Sequence, residues 1–205
     1  MIKKRRFSRE DVQIEAVEPL YEGFFRMVRY RLRHRLFQGG WSPWLQREIF
    51  ERGHAAVALP YDPNTDRVVL VRQFRVGALA TSADPWLFEL VAGIVEEGES
   101  PEQVAVRETA EESGLAVGRV EPMLSYLASP GGTTERLHLF LVEVDASQAG
   151  GIHGLDEEGE DIAVVPVSRE EAIAMLDEGL IDNAASVIGL QWLARKHEEI
   201  KAKWT

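Results

Sequence analysis

The chain has 205 residues, of which 45% are hydrophobic, and it contains no cysteine. The length allows one large domain or one domain with an arm, and the lack of cysteine excludes disulfides, thiolate catalysis and zinc-thiolate sites. No apolar run approaches the roughly 20 residues of a membrane span, and the basic start is not followed by the apolar segment of a signal peptide. We therefore expect a cytoplasmic protein with no membrane partner.

The net charge of −11 is divided unevenly along the chain. Residues 1–36 contain ten Lys and Arg against five Asp and Glu, a balance of +5, and the remainder contains thirteen against twenty-nine, a balance of −16. An acidic body does not suit binding to a nucleic-acid backbone, so no nucleic-acid partner is expected. The basic part could serve nucleic acid, an anionic substrate or an acidic neighbouring subunit, of which the substrate and the subunit are favoured.

Residues 12–37 are predicted to form antiparallel strands. From Met27 to Leu36, arginines alternate with apolar or aromatic residues, which is the period of a half-buried strand. Four arginines would then line one exposed face, where they could also serve only solubility and protection of a sheet edge. A turn is predicted at residues 37–41, and Glu48 to Gly53 leads into the second part.

The second part is predicted to be a mixed sheet flanked by helices. Its predicted strands are 55–61, 68–74, 86–95, 123–128, 137–144 and 162–167, and its predicted helices are 101–113, 169–178 and 183–203. The first two strands form a hairpin across residues 62–65. We therefore predict an α/β (α+β) fold with an arm at residues 1–50 and a domain at residues 51–205.

The helix at 101–113 has strong signals at both ends. Ser100 is a predicted N-cap, Pro101 occupies the first helical position and Gln103 completes a capping box. Gly114 ends the helix, because glycine readily adopts the left-handed conformation just past a helix terminus.

Four charged residues share one sector of this helix: Arg107, Glu108, Glu111 and Glu112. The opposite sector is predicted to lie against a sheet and contains Val106, Thr109, Ala110 and Ser113. Arg107 can hold Glu111 by an i,i+4 pair, which leaves Glu108 and Glu112 as oxygen donors of the kind that Mg²⁺ or Mn²⁺ prefers. A merely solvated acidic face is the alternative.

The spacing from Gly93 to Leu115 resembles the box of the Nudix hydrolase superfamily. Seven fixed positions match, namely Gly93, Glu99, Arg107, Glu108, Glu111, Glu112 and Gly114. Thr109 departs from the aliphatic residue that is usual at its position. The resemblance implies metal-dependent hydrolysis of a nucleoside diphosphate compound by a Nudix α/β/α sandwich.

Other segments resemble the family of bacterial ADP-ribose pyrophosphatases. They are residues 47–54, 127–133, 151–155 and 181–185, together with Pro130, which lies sixteen residues beyond Gly114. The resemblance implies hydrolysis of ADP-ribose to AMP and ribose 5-phosphate. It also implies a homodimer that exchanges its N-terminal strands, so that dimerisation and substrate contacts are the expected roles of the arm.

The resemblance also implies a metal site and a catalytic base. The expected ligands of Mg²⁺ or Mn²⁺, with more than one ion per site, are the carbonyl of Ala92 and the side chains of Glu108, Glu112 and Glu160. Glu158 is the expected general base that activates water, with Glu111 or Glu157 as rivals. The loop 155–161 that carries Glu158 could instead be a solvated acidic turn.

Residues outside the box are expected to select the substrate. The resemblance assigns Phe24 to adenine, Arg47 and Arg75 to phosphate or ribose oxygens, and Glu135 to ribose hydroxyls. Gly132 would let the backbone approach the ligand. The alternatives are a core position for Phe24, surface ion pairs for the two arginines, a loop carboxylate for Glu135 and a plain turn at 129–132.

Two other functions remain open. One is the hydrolysis of another nucleoside diphosphate sugar or a dinucleotide, which would share the metal chemistry. The other is a Nudix-fold sensor that binds a ligand without turnover, against which the complete set Glu108, Glu111 and Glu112 argues.

Overall fold

The computed structural model describes residues 7–155, 157 and 159–204, which form two compact units. One unit contains the residues up to Gly53 together with Leu127–Glu135, and the other contains His54–Tyr126 and the residues from Arg136 onward. The sequence does not predict that Leu127–Glu135 joins the first unit. No helix in the described part of the chain is long and apolar enough to cross a membrane.

The first unit is a three-stranded antiparallel sheet. Its strands are β1 Val12–Glu22, β2 Arg26–His34 and β3 Leu45–Glu51, in the order β1-β2-β3. The antiparallel pair β1 and β2 agrees with the prediction. Strand β3 is not predicted from the sequence, because Gln46, Arg47 and Glu48 interrupt the alternation of apolar and polar residues.

Three of the four arginines, Arg31, Arg33 and Arg35, lie over tryptophan rings and Arg29 pairs with Glu48, which corrects the prediction that all four line an open face. The guanidinium carbon of Arg33 lies 4.9 Å from the ring centroid of Trp41 and 4.8 Å from that of Trp44. Arg35 lies 4.2 Å from the centroid of Trp41. The flat guanidinium groups therefore cover aromatic rings, an arrangement that stabilises both partners.

The second unit contains a mixed sheet. Its strands are β4 Ala55–Asp62, β5 Arg67–Phe74, β6 Trp86–Glu89, β7 Val91–Ile94, β8 Val120–Leu127, β9 Arg136–Glu143, β10 Ile152–His153 and β11 Ile162–Ser168. The order is β10-β11-β5-β4-β9-β8, with β6 paired to β5 and β7 paired to β4. Strands β4 and β9 are parallel, whereas five pairs are antiparallel, namely β10 with β11, β11 with β5, β5 with β4, β4 with β7, and β5 with β6.

Helices lie on both faces of this sheet and are α1 Pro101–Ser113, α2 Arg169–Asp177 and α3 Ala184–Trp204. Alternation along β4 separates two cores, because successive side chains point to opposite faces. Ala56 and Ala58 pack with α1, whereas Leu59 and its neighbours on that face pack with Leu190 and Leu193 of α3. The second unit is thus the predicted α/β/α sandwich.

One predicted strand is wrong. Residues 86–95 form two short strands separated at Leu90, because β6 pairs with β5 whereas β7 pairs with β4. The break is held by a hydrogen bond of 3.0 Å from the backbone N–H of Leu90 to the hydroxyl of Ser186 on α3. This change of partner directs the end of β7 toward the start of the loop that precedes α1.

Candidate active site

The caps of α1 agree with the sequence prediction. Ser100 accepts a hydrogen bond from the backbone N–H of Gln103, and the side chain of Gln103 accepts one from the backbone N–H of Ser100. Gly114 has a φ of 69°, which lies in the left-handed region. Both ends of the helix are therefore determined by local chemistry, which fixes the helical phase of the four charged residues.

Arg107 binds three carboxylates rather than one. Its Nη1 donates to Glu108 at 2.8 Å and to Glu111 at 2.9 Å, and its Nε donates to Glu99 at 3.2 Å. The pair with Glu111 agrees with the prediction, whereas the pair with Glu108 is additional. Arg107 thus holds three acidic residues of the box together and offsets part of their repulsion.

The sequence-based assignment of the buried face of α1 is partly wrong. Thr109 and Ser113 are buried as predicted, but Val106 and Ala110 are exposed and Val104 and Ala105 replace them in the core. Among the charged residues, Glu112 is only 2% exposed. Compared with the prediction, the buried face of the helix is shifted to include Glu112, so this carboxylate lies inside the unit.

Thr109 is the one departure from the box pattern, and its buried hydroxyl has a hydrogen-bond partner. Its hydroxyl donates to the carbonyl of Ala105 at 2.7 Å, within the same helix. A threonine can therefore occupy this buried position, because the hydrogen bond offsets the cost of removing its hydroxyl from water.

Burial and mutual repulsion raise the pKa values of two glutamates. Burial, followed by the charge of Glu108, raises the pKa of Glu112 to about 8. Burial also raises the pKa of Glu108, although Arg107 opposes the shift. Glu160 adds to both shifts through its negative charge. Three carboxylates therefore act on one another in this region, and each would gain from a nearby cation.

The edge of β7 lies directly against these carboxylates. The backbone N–H of Ala92 donates to Glu112 at 3.3 Å. A Cβ atom built on Gly93 would overlap the side chain of Glu108, which lies across the glycine. The first glycine of the box is thus required for space, since a larger residue would displace Glu108.

The loop after β10 is closed by Glu160. The backbone N–H of Leu155 donates to the carboxylate of Glu160 at 3.0 Å, and the backbone N–H of Glu160 donates to the carbonyl of Leu155 at 3.2 Å. Glu157 is exposed. Glu158, the expected base, lies outside the described residues.

The loop also meets the end of α1. A Cβ atom on Gly114 would lie 2.6 Å from Cε1 of His153, and the ring of His153 is 2.9 Å from the carbonyl oxygen of Gly150. His153 immediately precedes Gly154, whose own Cβ would lie 2.6 Å from that of Glu160. Two glycines therefore allow the loop to pack closely against the box.

The residues at β7 and α1 fit a divalent cation. Glu108 and Glu112 are oxygen donors that hard cations prefer, and burial raises the pKa of both, so a bound cation would favour their charged forms. No group of three or more Asp, Glu or His side chains among the described residues is arranged as a ready-made ion site. The carboxylates of Glu108 and Glu112 lie close enough to act on each other. The carboxylate of Glu160 instead accepts a hydrogen bond from the backbone N–H of Leu155.

Four expected substrate residues lie in the first unit. Phe24 is 87% exposed, which contradicts the alternative of a core position, and its ring contacts that of Phe25. Arg47 is exposed, and its Nη1 donates to the carbonyl of Gln46. Within the described residues no carboxylate pairs with Arg47, so the alternative of an ion pair has no support.

Glu135 and Gly132 lie in the part of the first unit contributed by Leu127–Glu135. Glu135 is 9% exposed and is 3.3 Å from Nε of Arg52, so it is more buried than a plain loop carboxylate. Gly132 belongs to a turn in which its N–H donates to Ser129, and its carbonyl accepts from Phe50. A Cβ atom on Gly132 would meet open space, so the turn leaves this backbone accessible.

Arg75 lies in the second unit, and its Nε donates to Glu89 at 2.8 Å. Arg75 therefore forms an ion pair, which is the alternative to a substrate contact. The pair differs from a surface ion pair because Glu89 is largely buried. The charge of Arg75 also lowers the pKa of Glu112, which places the guanidinium in the field of the box carboxylates. The sequence analysis does not identify Glu89 or Arg52, because each is defined only by a partner distant in sequence.

A family model described as the NUDIX domain matches residues 51–185. The chain is also similar to ADP-ribose pyrophosphatase of Escherichia coli (strain K12), with 59% identity over 198 residues that cover 97% of this chain and 95% of the relative. It is 47% identical to ADP-ribose pyrophosphatase of Haemophilus influenzae over 207 residues, which cover 100% of this chain and 95% of the relative.

Two further matches are more distant. GDP-mannose pyrophosphatase of Pectobacterium atrosepticum is 39% identical over 150 residues, which cover 71% of this chain and 75% of the relative. A solved structure described as an ADP compounds hydrolase matches with a TM-score of 0.71 and 18% identity, covering 97% of this chain and 99% of that chain. At this identity the structural match shows a shared fold only.

Proposed function

The chain belongs to the NUDIX-domain family, and from this premise we propose that it hydrolyses the diphosphate bond of ADP-ribose to AMP and ribose 5-phosphate. The observation that carries the proposal is the pair Glu108 and Glu112, which meet at the edge of β7 with raised pKa values. The choice of ADP-ribose is supported by the relatives of that name, which are 59% and 47% identical over nearly the whole chain.

We propose Mg²⁺, with Mn²⁺ as an alternative, as the cofactor, and more than one ion per site. Glu108, Glu112, Glu160 and the carbonyl of Ala92 would hold the ions, which when bound supply neutralisation of the diphosphate and a more acidic water. The role of Arg107 is to keep Glu108 and Glu111 in place by its hydrogen bonds of 2.8 and 2.9 Å.

Glu158 is the proposed base that accepts the proton of the attacking water. Glu111 is the rival, since it lies beside Glu108 through their shared partner Arg107. The exposed Glu157 is a second rival in the same loop. Glu158→Gln should lower kcat far more than it changes KM, and a larger loss in Glu111→Gln would reassign the role.

The proposed substrate contacts are an aromatic surface for adenine at Phe24 and charged contacts to phosphate or ribose oxygens at Arg47 and Arg75. Phe24 is supported by its 87% exposure, because an exposed phenylalanine ring is available for stacking. Glu135 is proposed for ribose hydroxyls, and the open backbone at Gly132 for close approach of the ligand.

We propose a homodimer that exchanges its N-terminal strands. The supporting observation is a row of exposed apolar side chains along β1, namely Val12, Ile14, Val17, Leu20 and Tyr21, with exposures of 40–62%. Strand β1 is also an outer strand of its sheet. Apolar residues on an edge strand favour a protein partner, and a second copy suits the basic N-terminal part because the body is acidic.

The second candidate function is hydrolysis of another nucleoside diphosphate sugar, which the 39% identity to a GDP-mannose pyrophosphatase favours. That match covers 71% of the chain. A sensor without turnover has no specific support, because a binding protein has no need for the Glu108 and Glu112 pair.

Turnover of a substrate panel with Mg²⁺ tests these alternatives. The panel contains ADP-ribose, ADP-mannose, GDP-mannose, NADH and diadenosine polyphosphates, and a chelator provides the metal-free control. We expect ADP-ribose to give the highest kcat/KM, and Glu112→Gln to abolish turnover without unfolding the protein. Preference for another member would replace the substrate, and tight binding without any hydrolysis would favour the sensor.

A further inference from the structure

Arg75 is attached to the protein by one side-chain hydrogen bond. Its Nε donates to Glu89 at 2.8 Å, and within the described residues no hydrogen bond involves its two terminal amino groups. The side chain is 44% exposed, so these two groups remain accessible. A guanidinium fixed through Nε presents both terminal amino groups in one plane, which is the arrangement that binds two phosphate oxygens.

Glu89 is an unusual residue for the end of a sheet strand. Its side chain is 15% exposed, and burial raises its pKa although Arg75 opposes that shift. Removing a carboxylate from water is costly, and a single ion pair offsets the cost only in part. Replacing such a pair by apolar residues is often neutral or stabilising, so stability alone does not account for Glu89.

The electrostatic surroundings of Arg75 give a functional reason for a largely buried glutamate at position 89. Its positive charge acts on Glu112, one of the proposed cation ligands. An unrestrained arginine at this place would be attracted to the same carboxylates that a cation must bind. Arg107 illustrates that outcome, since it already donates to Glu108 at 2.8 Å.

We propose that Glu89 is a positioning residue for substrate binding. It holds Arg75 by Nε, keeps the guanidinium away from Glu112 and directs its terminal amino groups to the diphosphate of the substrate. This inference rests on the proposed function, because it assigns the diphosphate as the ligand of Arg75.

A double-mutant cycle tests this role with Glu89→Gln, Arg75→Ala and the double variant. Glu89→Gln should raise KM for ADP-ribose about tenfold, the size expected when one charge-assisted hydrogen bond is lost, with a smaller change in kcat. In the Arg75→Ala background the same substitution should have no further effect. Equal effects in both backgrounds would overturn the inference, because Glu89 would then act independently of Arg75.

A matched control is available on β5, which ends one residue before Arg75. Arg72 of β5 pairs with Asp84 at 2.5 Å, and Asp84→Asn removes a carboxylate partner of a β5 arginine without touching Arg75. This variant should leave KM unchanged. Glu89→Asp keeps the carboxylate but shortens the side chain by one methylene group, so it should raise KM less than Glu89→Gln and supplies the test if Glu89→Gln fails to fold.

Binding measured without turnover separates this inference from the proposed function. Calorimetric titration of ADP-ribose into metal-free protein should show weaker binding to Glu89→Gln than to wild type or Asp84→Asn. If the wild type hydrolyses GDP-mannose instead of ADP-ribose, the substrate assignment fails, and the same cycle run with GDP-mannose still decides the role of Glu89. Unchanged binding and KM in Glu89→Gln would refute it.

Discussion

Glu112 opposes folding at neutral pH whenever no cation is bound. Burial raises its pKa to about 8 from an ordinary value of 4.5, so the folded chain retains a proton that the unfolded chain releases. The stability that depends on this proton is fully present below pH 4.5 and is lost as the pH rises toward 8. A residue that we propose as a cation ligand thus weakens the metal-free fold.

We therefore predict that Glu112→Gln stabilises the metal-free protein while it abolishes turnover. At pH 7 the free energy of unfolding should rise by about 1–3 kcal/mol, and the gain should shrink toward pH 5, because the unfolded chain then gains less free energy by releasing the proton of Glu112. Thermal unfolding in a chelator at several pH values measures the difference. A gain that does not depend on pH would show that ionisation of Glu112 is not its cause.

Gly93 affects the site through the space that it leaves for Glu108. Its backbone does not have a positive φ, so alanine is acceptable to the backbone but would overlap the side chain of Glu108. We predict that Gly93→Ala displaces this carboxylate and lowers kcat by at least about tenfold, since the proposed ligand is moved. Steady-state kinetics measure the loss.

Gly77→Ala is the matched control for this substitution. A Cβ atom at Gly77 would meet open space, and its φ is not positive. Its kcat should stay close to that of the wild type. Equal kcat in Gly93→Ala and Gly77→Ala would show that the position of Glu108 does not limit turnover.

At the scale of elements, Gly114 joins the end of α1 to the loop that follows β10. Alanine there would have to adopt a φ of 69° and would approach Cε1 of His153 to 2.6 Å. We predict that Gly114→Ala lowers the free energy of unfolding by more than the roughly 1 kcal/mol of the conformational cost. It should also lower turnover, because His153 precedes the loop that carries Glu160.

The comparison with Gly179→Ala isolates the contact with His153. Gly179 has a φ of 76°, close to that of Gly114, but a Cβ atom there would meet nothing within 4 Å. Chemical denaturation of both variants measures the two losses of stability. If they are equal, the contact with His153 contributes nothing and only the backbone conformation matters.

The elements that sequence patterns predict are those with local causes. The caps at Ser100 and Gly114 act within a few residues, and both ends of α1 follow from them. The break at Leu90 and the strand β3 depend on pairing with distant strands, which periodicity does not contain. The same limit applies to the site, where Glu108 and Glu112 follow from spacing but Glu89 does not, because its partner Arg75 is fourteen residues away in the sequence.

At the scale of the whole molecule, the first unit has apolar surface that one chain leaves uncovered. Strand β1 exposes Ile14 by 56% and Val17 by 49%, and exposed apolar residues on an edge strand favour pairing with another chain. A dimer that exchanges these strands would cover this surface. We predict that in such a dimer Arg47 of one subunit contributes to the site that contains Glu112 of the other.

Mixing two inactive variants tests whether the sites are shared in this way. Glu112→Gln and Arg47→Ala are each expected to have little activity alone. A mixed dimer contains one copy of each variant. If the sites are shared, one of its two sites contains both substitutions and the other contains neither. After subunit exchange by mild denaturation and refolding, random pairing should restore about a quarter of the wild-type activity.

The recovered activity distinguishes the two arrangements because it depends only on which subunit supplies Arg47. If each chain completes its own site, every site in the mixed dimer still contains one substitution and activity stays at the level of the separate variants. Mixing Glu112→Gln with Glu108→Gln is the control, since both residues lie on α1 of the same chain and no intact site can form. Light scattering of the mixture measures the dimer itself, and a monomer at all concentrations would contradict the exchange, because a shared site requires two chains.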